Sequence, residues 1–254
     1  MRTVKVIGVG MGDPRHLTGS AIDALRSVDV FFLLEKGSAA DELSARRRDL
    51  CRSVIGAGSY RFVQLPDPPR DRVAADYVQA VRDWTLARGD VLLGAIEAHL
   101  RPGQTAGILA WGDPAFYDST LRVLDAGRLA GRLEVEVVPG ISSIQMLAAA
   151  HRISLTRVGR PLQVTTGRRL AEDGFPAGCD DVVVMLDGQC SFRCLEPEGV
   201  GIYWGADLGG PDQVLVSGEL REVAETIVAR RAQIRALRGW VMDTYLLRRG
   251  IPDR

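Results

Sequence analysis

Hydrophobic residues near the start of the chain alternate between the spacings of strands and helices. Residues 4–9 form a β-branched run that ends in glycines and predicts a buried strand. Residues 17–28 then place apolar side chains at helical spacing, and residues 30–34 are again a continuous apolar run. The segments 40–54 and 73–100 keep a helical pattern. The chain therefore opens with strands and helices in turn.

The same alternation continues as far as residue 150. Residues 104–110 predict a central strand, 120–129 a helix, 133–138 a strand and 142–150 another helix. Regular alternation of this kind is typical of a parallel sheet covered by helices. We therefore predict an N-terminal α/β domain over residues 1–150, with a mostly parallel sheet.

The pattern changes after residue 150. Residues 151–160 have no clear period and are followed by Pro161, which predicts a domain hinge. The strongest helix beyond it is 220–237, and strands are predicted around 164, 182–186, 201–204, 214–216 and 240–246. With fewer helices between the strands, we predict a second α/β domain over residues 151–254, with a mixed sheet.

Composition limits the classes of function. The 32 Lys and Arg residues balance the 32 Asp and Glu residues, so no overall field favours a nucleic acid or an anionic membrane as partner. No apolar segment is long enough for a membrane span or a signal peptide, so we expect a cytoplasmic enzyme. The four cysteines form no CxxC pair, so reduced thiols and no metal site are expected.

A glycine-bearing loop, residues 8–14, follows the first predicted strand. Glycines there let the backbone approach a ligand at the carboxyl edge of the sheet. A dinucleotide-binding fingerprint would have glycine where Asp13 stands, and a carboxylate there opposes a pyrophosphate. Alone, the loop fits a tight turn with Asp13 as a helix cap as well as it fits a site.

Two further loops follow predicted strands. Residues 110–120 bring aromatic and carboxylate side chains together, and residues 138–143 open a helix with two serines. Taken singly, Pro114 could only fix a turn while Phe116 and Tyr117 pack into the core. Because the carboxyl ends of parallel strands share one edge, we expect the three loops to border a single cleft.

Four segments together resemble the tetrapyrrole methylase family in order and spacing over nearly the whole chain. They are the glycine loop ending in Gly12-Asp13-Pro14, the second Gly112-Asp113-Pro114, the Pro139-Gly140-Ile141-Ser142-Ser143 turn and Val184-Met185-Leu186. Residues 32–37, 111–120, 165–170, 185–188, 203–206 and 240–249 are similar to the branch that methylates precorrin-5 with loss of acetate.

This resemblance implies two α/β domains with a trough between them, S-adenosylmethionine folded at their interface, a tetrapyrrole in the trough, and a homodimer. Position by position, the implied cofactor-binding residues are Pro14, Trp111, Gly112, Asp113, Phe116, Ser142, Ser143, Met185 and Ala206. Alignment around residues 203–208 can shift, and Ala206 is chosen there. Family members often have Thr-Ala where Ser142-Ser143 stands, a difference that backbone contacts would survive.

The implied reaction methylates precorrin-5 at C-1 and releases acetate, giving precorrin-6A. Methyl transfer needs alignment and exclusion of water rather than a metal. We expect Asp13, Tyr117, Arg168 and Arg169 to bind the substrate. The two arginines would pair with its carboxylate arms. The arginines at 46–48, 230–231 and 248–249 are expected to solvate helix or chain ends.

Acetate release calls for a general base, and the sequence assigns no catalytic residue. The candidate carboxylates are Asp13, Glu35, Asp118 and Asp187. Of the three histidines, His16, His99 and His151, the last two are expected to have structural or surface roles. Two rival functions are another precorrin methyltransferase of the same pathway and a dinucleotide-dependent oxidoreductase using Glu35 on a ribose. A non-enzymatic binding module would leave three polar loops at successive strand ends without a purpose.

Overall fold

The computed structural model describes residues 2–35, 38–58, 60–71 and 74–250. The chain divides into two compact units, Met1–Ser142 and Ser143–Arg254. Residue 73, where a helix was predicted to begin, lies outside the described residues, as does the side chain of Glu35. No helix in the described ranges is long and apolar enough to cross a membrane.

The first unit is an α/β layer with a parallel sheet. Its elements are β1 (Arg2–Gly8), α1 (Gly19–Arg26), β2 (Val30–Glu35), α2 (Ser38–Ile55), β3 (Arg61–Pro66), α3 (Tyr77–His99), β4 (Thr105–Ala110), α4 (Thr120–Leu124) and β5 (Leu133–Val138). Within the described part of the unit, the strands run in the order β3-β2-β4-β1-β5 and every pairing is parallel. The predicted parallel N-terminal sheet is confirmed.

Alternate side chains of these strands fill the two faces of the sheet. Val4 and Val6 of β1 pack with α3, while Ile7 of the same strand packs with α1 and α2. This two-residue period is what a parallel sheet covered on both faces requires. β1 lies between β4 and β5, so the three strands that precede the loops end side by side.

The second unit has a mixed sheet. Its elements are α5 (Ser143–His151), β6 (Leu162–Thr166), α6 (Gly167–Asp173), β7 (Asp181–Met185), β8 (Val200–Ala206), β9 (Val214–Glu219), α7 (Leu220–Arg238) and β10 (Asp243–Arg249). Among the strands described, the order is β6-β7-β10-β8-β9, where β6 pairs with β7 in parallel and the other pairings are antiparallel. The mixed C-terminal sheet and the α/β fold class are therefore confirmed.

The helix α5 lies in the second unit, whereas the predicted hinge at 151–160 put it in the first. Ile144 and Leu147 of α5 are buried in a cluster with Val183, Leu208 and Leu246 of the second unit. The division therefore falls between Ser142 and Ser143, because the apolar face of α5 covers one face of the second sheet. A helical period alone does not tell which sheet a helix covers.

Three elements differ from the sequence prediction. The edge strand β3 and the short helix α6 were not predicted, and the helix expected over 120–129 ends at Leu124. β3 is a short run that ends at Pro66, so it carries little apolar signal. Beyond α4, Gly127 has a positive φ of 56°, and residues 127–129 form a 3₁₀ turn instead of a continued α-helix.

Candidate functional site

Three loops at the carboxyl edge of the first sheet meet, and we call residues 8–14, 110–120 and 138–142 the loop rim. The first two loops pair through their backbones: Gly10 N donates to Gly112 O at 3.2 Å, and Gly112 N donates to Gly10 O at 2.7 Å. Asp113 links the second loop to the third, because its Oδ2 accepts from Gly140 N at 2.8 Å. The expected convergence of the three loops is confirmed.

Close backbone approach explains the glycines of the loop rim. A Cβ at Gly140 would lie 2.1 Å from Gly112 O and 2.7 Å from the carbonyl carbon of Gly8. A Cβ at Gly8 would lie 2.5 Å from Gly140 N. Because these neighbours are backbone atoms, they cannot move aside as a flexible side chain can, and only glycine fits.

The aromatic residues of the second loop are partly solvent-accessible. Phe116 is 36% exposed and Tyr117 is 46% exposed, so the alternative in which both pack into the core is wrong. Tyr117 has a positive φ of 53°, which is uncommon for a bulky residue. Strained conformations of this kind persist where the surrounding structure stabilises them, and they cluster at functional sites. Apolar rings presented beside a polar loop are suited to stacking on a planar ligand.

Trp111 lies between the first loop and helix α2. A Cβ at Gly12 would be 3.0 Å from Trp111 Cζ3, and the guanidinium carbon of Arg47 lies 5.3 Å from the indole centroid. The Trp111 Nε1 is buried and has no hydrogen-bond partner among residues that the structure describes. Buried donors are nearly always paired, so this unpaired N–H is an exception that calls for an explanation, such as a bound ligand.

Asp13 is held by its neighbour Arg15. The Arg15 side chain donates to Asp13 through Nε at 3.1 Å and Nη2 at 2.6 Å, and the backbone N of Arg15 donates to Oδ1 at 2.8 Å. The side-chain hydrogen bonds from Arg15 chiefly lower the pKa of Asp13 to about 2. Asp13 caps the 3₁₀ turn at residues 14–16, which contains Pro14, while Thr18 caps α1. A carboxyl of this pKa is a weak base near neutrality.

A cavity of about 260 Å³ opens beside the second loop of the rim. Its walls include Leu34, Leu109 and Asp118, and it is also lined by Arg47 and Arg88. Arg88 is paired: its Nε lies 2.7 Å from Asp67 Oδ1 and its Nη1 donates to Ser119 Oγ at 2.7 Å. Asp118 is therefore the candidate base that lines an accessible cavity.

In the second unit, Met185 precedes a strained and anchored turn. Leu186 has φ 55° and is 67% exposed, whereas the next residue, Asp187, is 4% exposed. Asp187 accepts from Gln189 N, Ser191 N, Ser191 Oγ and Tyr245 Oη at 2.6–3.0 Å. Its carboxylate oxygens are fully engaged, which disfavours Asp187 as a base and makes it the anchor of this turn.

Two other implied cofactor residues of the second unit are buried. Ser143, at the first position of α5, accepts from Thr244 Oγ1 at 2.9 Å through its Oγ, and Ala206 is 0% exposed at the end of β8. The Ala206 methyl belongs to the core cluster around Trp204, so its side chain packs within the second unit. Ser142, the last residue of the first unit, is 1% exposed.

Arg168 and Arg169 lie on the exposed side of α6. Arg168 Nε is 3.7 Å from Glu172 Oε1, and Arg169 is 3.2 Å from both Glu172 and Asp173. Exposed pairs one helical turn apart are weak, so a ligand carboxylate could replace them at little cost. Their role in substrate binding remains a proposal.

Three arginines that were expected to be solvated are not. Arg231 Nε lies 2.9 Å from Asp243 Oδ2, and Arg248 Nε lies 2.5 Å from buried Asp181. Arg47 lines the cavity with a buried Nε. The expectation that these residues solvate chain or helix ends is wrong, because runs of charge in sequence do not report the depth of the helix or strand that carries them.

The contacts of His151 and His99 fit structural roles. His151 Nε2 lies 3.0 Å from Trp204 O, and its ring packs edge-on against Tyr203. Burial lowers the pKa of His151, which favours the neutral ring. His99 ends α3, and its carbonyl accepts from Arg61 Nη2.

The comparisons with known proteins agree with this geometry. A family model described as Tetrapyrrole (Corrin/Porphyrin) Methylases matches residues 3–224. The chain therefore belongs to the tetrapyrrole methylase family, as the loop motifs indicated.

Among relatives, the chain is 41% identical over 252 residues to precorrin-6A synthase (deacetylating) of Sinorhizobium sp, covering 98% of this chain and 96% of that protein. It is 31% identical over 180 residues to precorrin-2 C(20)-methyltransferase of Sinorhizobium sp, covering 65% and 68% of the two chains. The first similarity spans both units, whereas the second covers two thirds of the chain.

Solved structures support the fold. A putative cobalamin synthesis related protein (CobF) from Corynebacterium diphtheriae superposes with a TM-score of 0.81 at 33% identity, covering 98% of this chain and 99% of that one. A uroporphyrin-III C-methyl transferase from Thermus thermophilus, complexed with S-adenyl homocysteine, has a TM-score of 0.58 at 20% identity, with coverages of 96% and 91%. At this lower identity the likeness concerns the fold alone.

Proposed function

We propose that this chain is the S-adenosylmethionine-dependent methyltransferase that converts precorrin-5 to precorrin-6A. The observation that carries the proposal is the 41% identity to precorrin-6A synthase (deacetylating) over 98% of the chain. A match of this extent includes the loop rim, the turn after Met185 and the C-terminal strand, not only the glycine motifs that the family shares.

The residues present fit the proposed cofactor. The loop rim brings three loops into backbone contact, where a Cβ at Gly8 or Gly140 would clash, and Trp111 Nε1 is a buried donor without an acceptor among the described residues. We propose that Pro14, Trp111, Gly112, Asp113, Phe116 and Ser142 bind S-adenosylmethionine from the first unit and that Ser143, Met185 and Ala206 bind it from the second. Asp113 acts by holding the second and third loops together rather than by touching the reacting atoms.

When bound, the cofactor supplies an electrophilic methyl on a sulfonium. Water would attack the acetyl carbonyl and release acetate, and the electron pair of the broken bond to C-1 would form the new bond to this methyl, leaving S-adenosylhomocysteine. The loop rim and the exposed rings of Phe116 and Tyr117 align the reactants and exclude water, which supplies acceleration without a metal. We propose Asp118, which lines the cavity, as the base that takes the proton from the attacking water.

Asp13, Tyr117, Arg168 and Arg169 remain proposed substrate-binding residues. Arg15 pairs with Asp13 through Nε and Nη2, so Asp13 can hold Arg15 in place while Nη1 donates to a carboxylate arm. A homodimer in the cytoplasm, with neither a membrane nor a nucleic acid as partner, completes the proposal. Sedimentation of the purified chain tests the dimer.

The decisive experiment is incubation with precorrin-5 and methyl-labelled S-adenosylmethionine. We expect one labelled methyl at C-1 and one acetate for each macrocycle converted. Asp113→Asn should slow both products about 10-fold or more, because it removes an acceptor that holds the rim, while the exposed Asp23→Asn on α1 serves as matched control. Methylation without acetate would instead assign the chain to a sister precorrin methyltransferase.

A further inference from the structure

Arg47, in the middle of α2, is a partly buried cation whose Nε has no hydrogen-bond partner among the described residues. Its Nε is buried and has no partner within the described ranges of the chain, and its guanidinium lies over the face of Trp111. Burial lowers the pKa of Arg47 to about 10, partly offset by the charge of Asp118, so the side chain stays charged near neutrality. Asp118 attracts this charge, but the buried Nε still lacks an acceptor among the described residues, and an unpaired buried donor is costly, which points to an anion that arrives with a ligand.

The lining and the volume of the cavity beside Arg47 restrict which anionic group could bind there. Apolar side chains such as Phe32, Leu34 and Ile108 line it, and its volume of about 260 Å³ is several times the roughly 30 Å³ of one water molecule. It opens at the carboxyl ends of β2 and β4, next to the loop rim. The space therefore suits a short arm with an apolar stem and an anionic end.

The neighbouring arginine does not fill this role. Arg88 lines the same cavity, but Asp67 and Ser119 already pair with it and its ring contact is with Trp84. Arg52, one turn beyond Arg47 on α2, is exposed and pairs with Asp49 at 2.9 Å. Arg47 is therefore the lining cation whose charge-assisted hydrogen bonds are still to be made.

We propose that Arg47 binds a carboxylate arm of the tetrapyrrole substrate, with the arm's methylene stem in the cavity lined by Phe32, Leu34 and Ile108. This inference rests on the proposed function and names a substrate contact within it. The amino-acid moiety of the cofactor also ends in a carboxylate. The cationic guanidinium repels a sulfonium, however, which favours the substrate arm in a cavity of low dielectric.

The test compares Arg47→Met, which keeps an apolar stem, with Arg47→Lys, which keeps the charge, and with Arg52→Met as matched control. We expect Arg47→Met to raise the KM for precorrin-5 about 10- to 100-fold, as loss of a charge-assisted hydrogen bond predicts. Arg47→Lys should recover part of that loss, and Arg52→Met should match the wild type. The Kd for S-adenosylhomocysteine should change less than about twofold in all three.

A second measurement does not depend on turnover. Uroporphyrin, which carries free acetate and propionate arms, should quench tryptophan fluorescence with a Kd that Arg47→Met raises about 10-fold, while its methyl ester should bind both forms alike. If Arg47→Met left both the KM and the uroporphyrin Kd at wild-type values, or weakened only S-adenosylhomocysteine, the proposal would be overturned. Should the wild type convert no precorrin-5, the proposed function fails, while uroporphyrin binding still decides the role of Arg47.

Discussion

Gly140 shows how a single hydrogen atom in place of a methyl group allows the loop rim to close. Its Cα faces Gly112 O and the backbone of Gly8, and a Cβ would come within 2.1 Å of the nearest of these atoms. The neighbouring amide of Gly140 donates to Asp113, so the same residue supplies both the close approach and a hydrogen bond. Backbone crowding at one position therefore sets the spacing of all three loops.

We predict that Gly140→Ala lowers the free energy of unfolding by more than about 2 kcal/mol, because the added methyl displaces backbone atoms. It should also raise the Kd for S-adenosylhomocysteine about 10-fold or more. Urea denaturation and calorimetry measure the two effects. Gly94→Ala is the matched control. Gly94 lies on the exposed side of α3 with no atom within 4 Å of an added Cβ, so the substitution should stabilise the protein by about 0.5–1 kcal/mol. Equal behaviour of the two variants would contradict this account.

At the scale of elements, Asp187 connects parts of the second unit that are distant in sequence. It receives the hydroxyl of Tyr245 from β10 and the backbone of residues 189–191 after β7. A Cβ at Gly167, the first residue of α6, would lie 2.5 Å from Asp187. The ends of β7, β10 and α6 therefore meet around the Asp187 carboxylate. Its hydrogen bonds fix the position of the adjacent residues Met185 and Leu186.

We predict that Asp187→Ala costs about 3–5 kcal/mol of stability, because it leaves several buried donors unpaired. Tyr245→Phe removes one donor and should cost only about 1 kcal/mol. If the turn positions Met185 against the cofactor, Tyr245→Phe should also raise the KM for S-adenosylmethionine while leaving the KM for precorrin-5 unchanged. Glu225→Ala, on the exposed side of α7, is the control. An unchanged KM for S-adenosylmethionine in Tyr245→Phe would show that the turn held by Asp187 does not position Met185 for cofactor binding.

For the whole molecule, the choice of cofactor class depends on the loop rim and not on overall charge. The net charge is zero at neutral pH, so no general field attracts an anionic dinucleotide. At the first loop, the carboxylate of Asp13 occupies the place where a pyrophosphate would need glycine and a free helix N-terminus. The absence of glycine at position 13 and the family match therefore count against the oxidoreductase alternative.

We predict that titration calorimetry detects saturable binding of S-adenosylhomocysteine and no binding of NAD. The cofactor product should also raise the Tm of the protein in a concentration-dependent way, because ligands that bind only the folded state stabilise it. Asp113→Asn should reduce the binding heat, and Asp23→Asn should not. Tight NAD binding without a response to S-adenosylhomocysteine would remove the basis for the methyltransferase proposal.

The sequence alone determined the fold class and the location of the three loops, because these depend on local patterns. Apolar runs at two-residue and helical spacing predicted most strands and helices, and the loop motifs pointed to the tetrapyrrole methylase family, which the family model confirms. The short edge strand β3 and helix α6 carried too few apolar positions to be found in this way. Their existence depends on neighbours that complete their hydrogen bonds and packing.

Only the tertiary structure decided which side chains have partners. Arg47, Arg231 and Arg248 all belong to arginine runs in the sequence, yet the first has a buried Nε without an acceptor in the described residues and the other two form buried ion pairs. The sequence also gave no reason to place α5 with the second sheet. Burial and pairing depend on residues far away along the chain, so a local pattern can say that a helix forms and what it carries, but not what it faces.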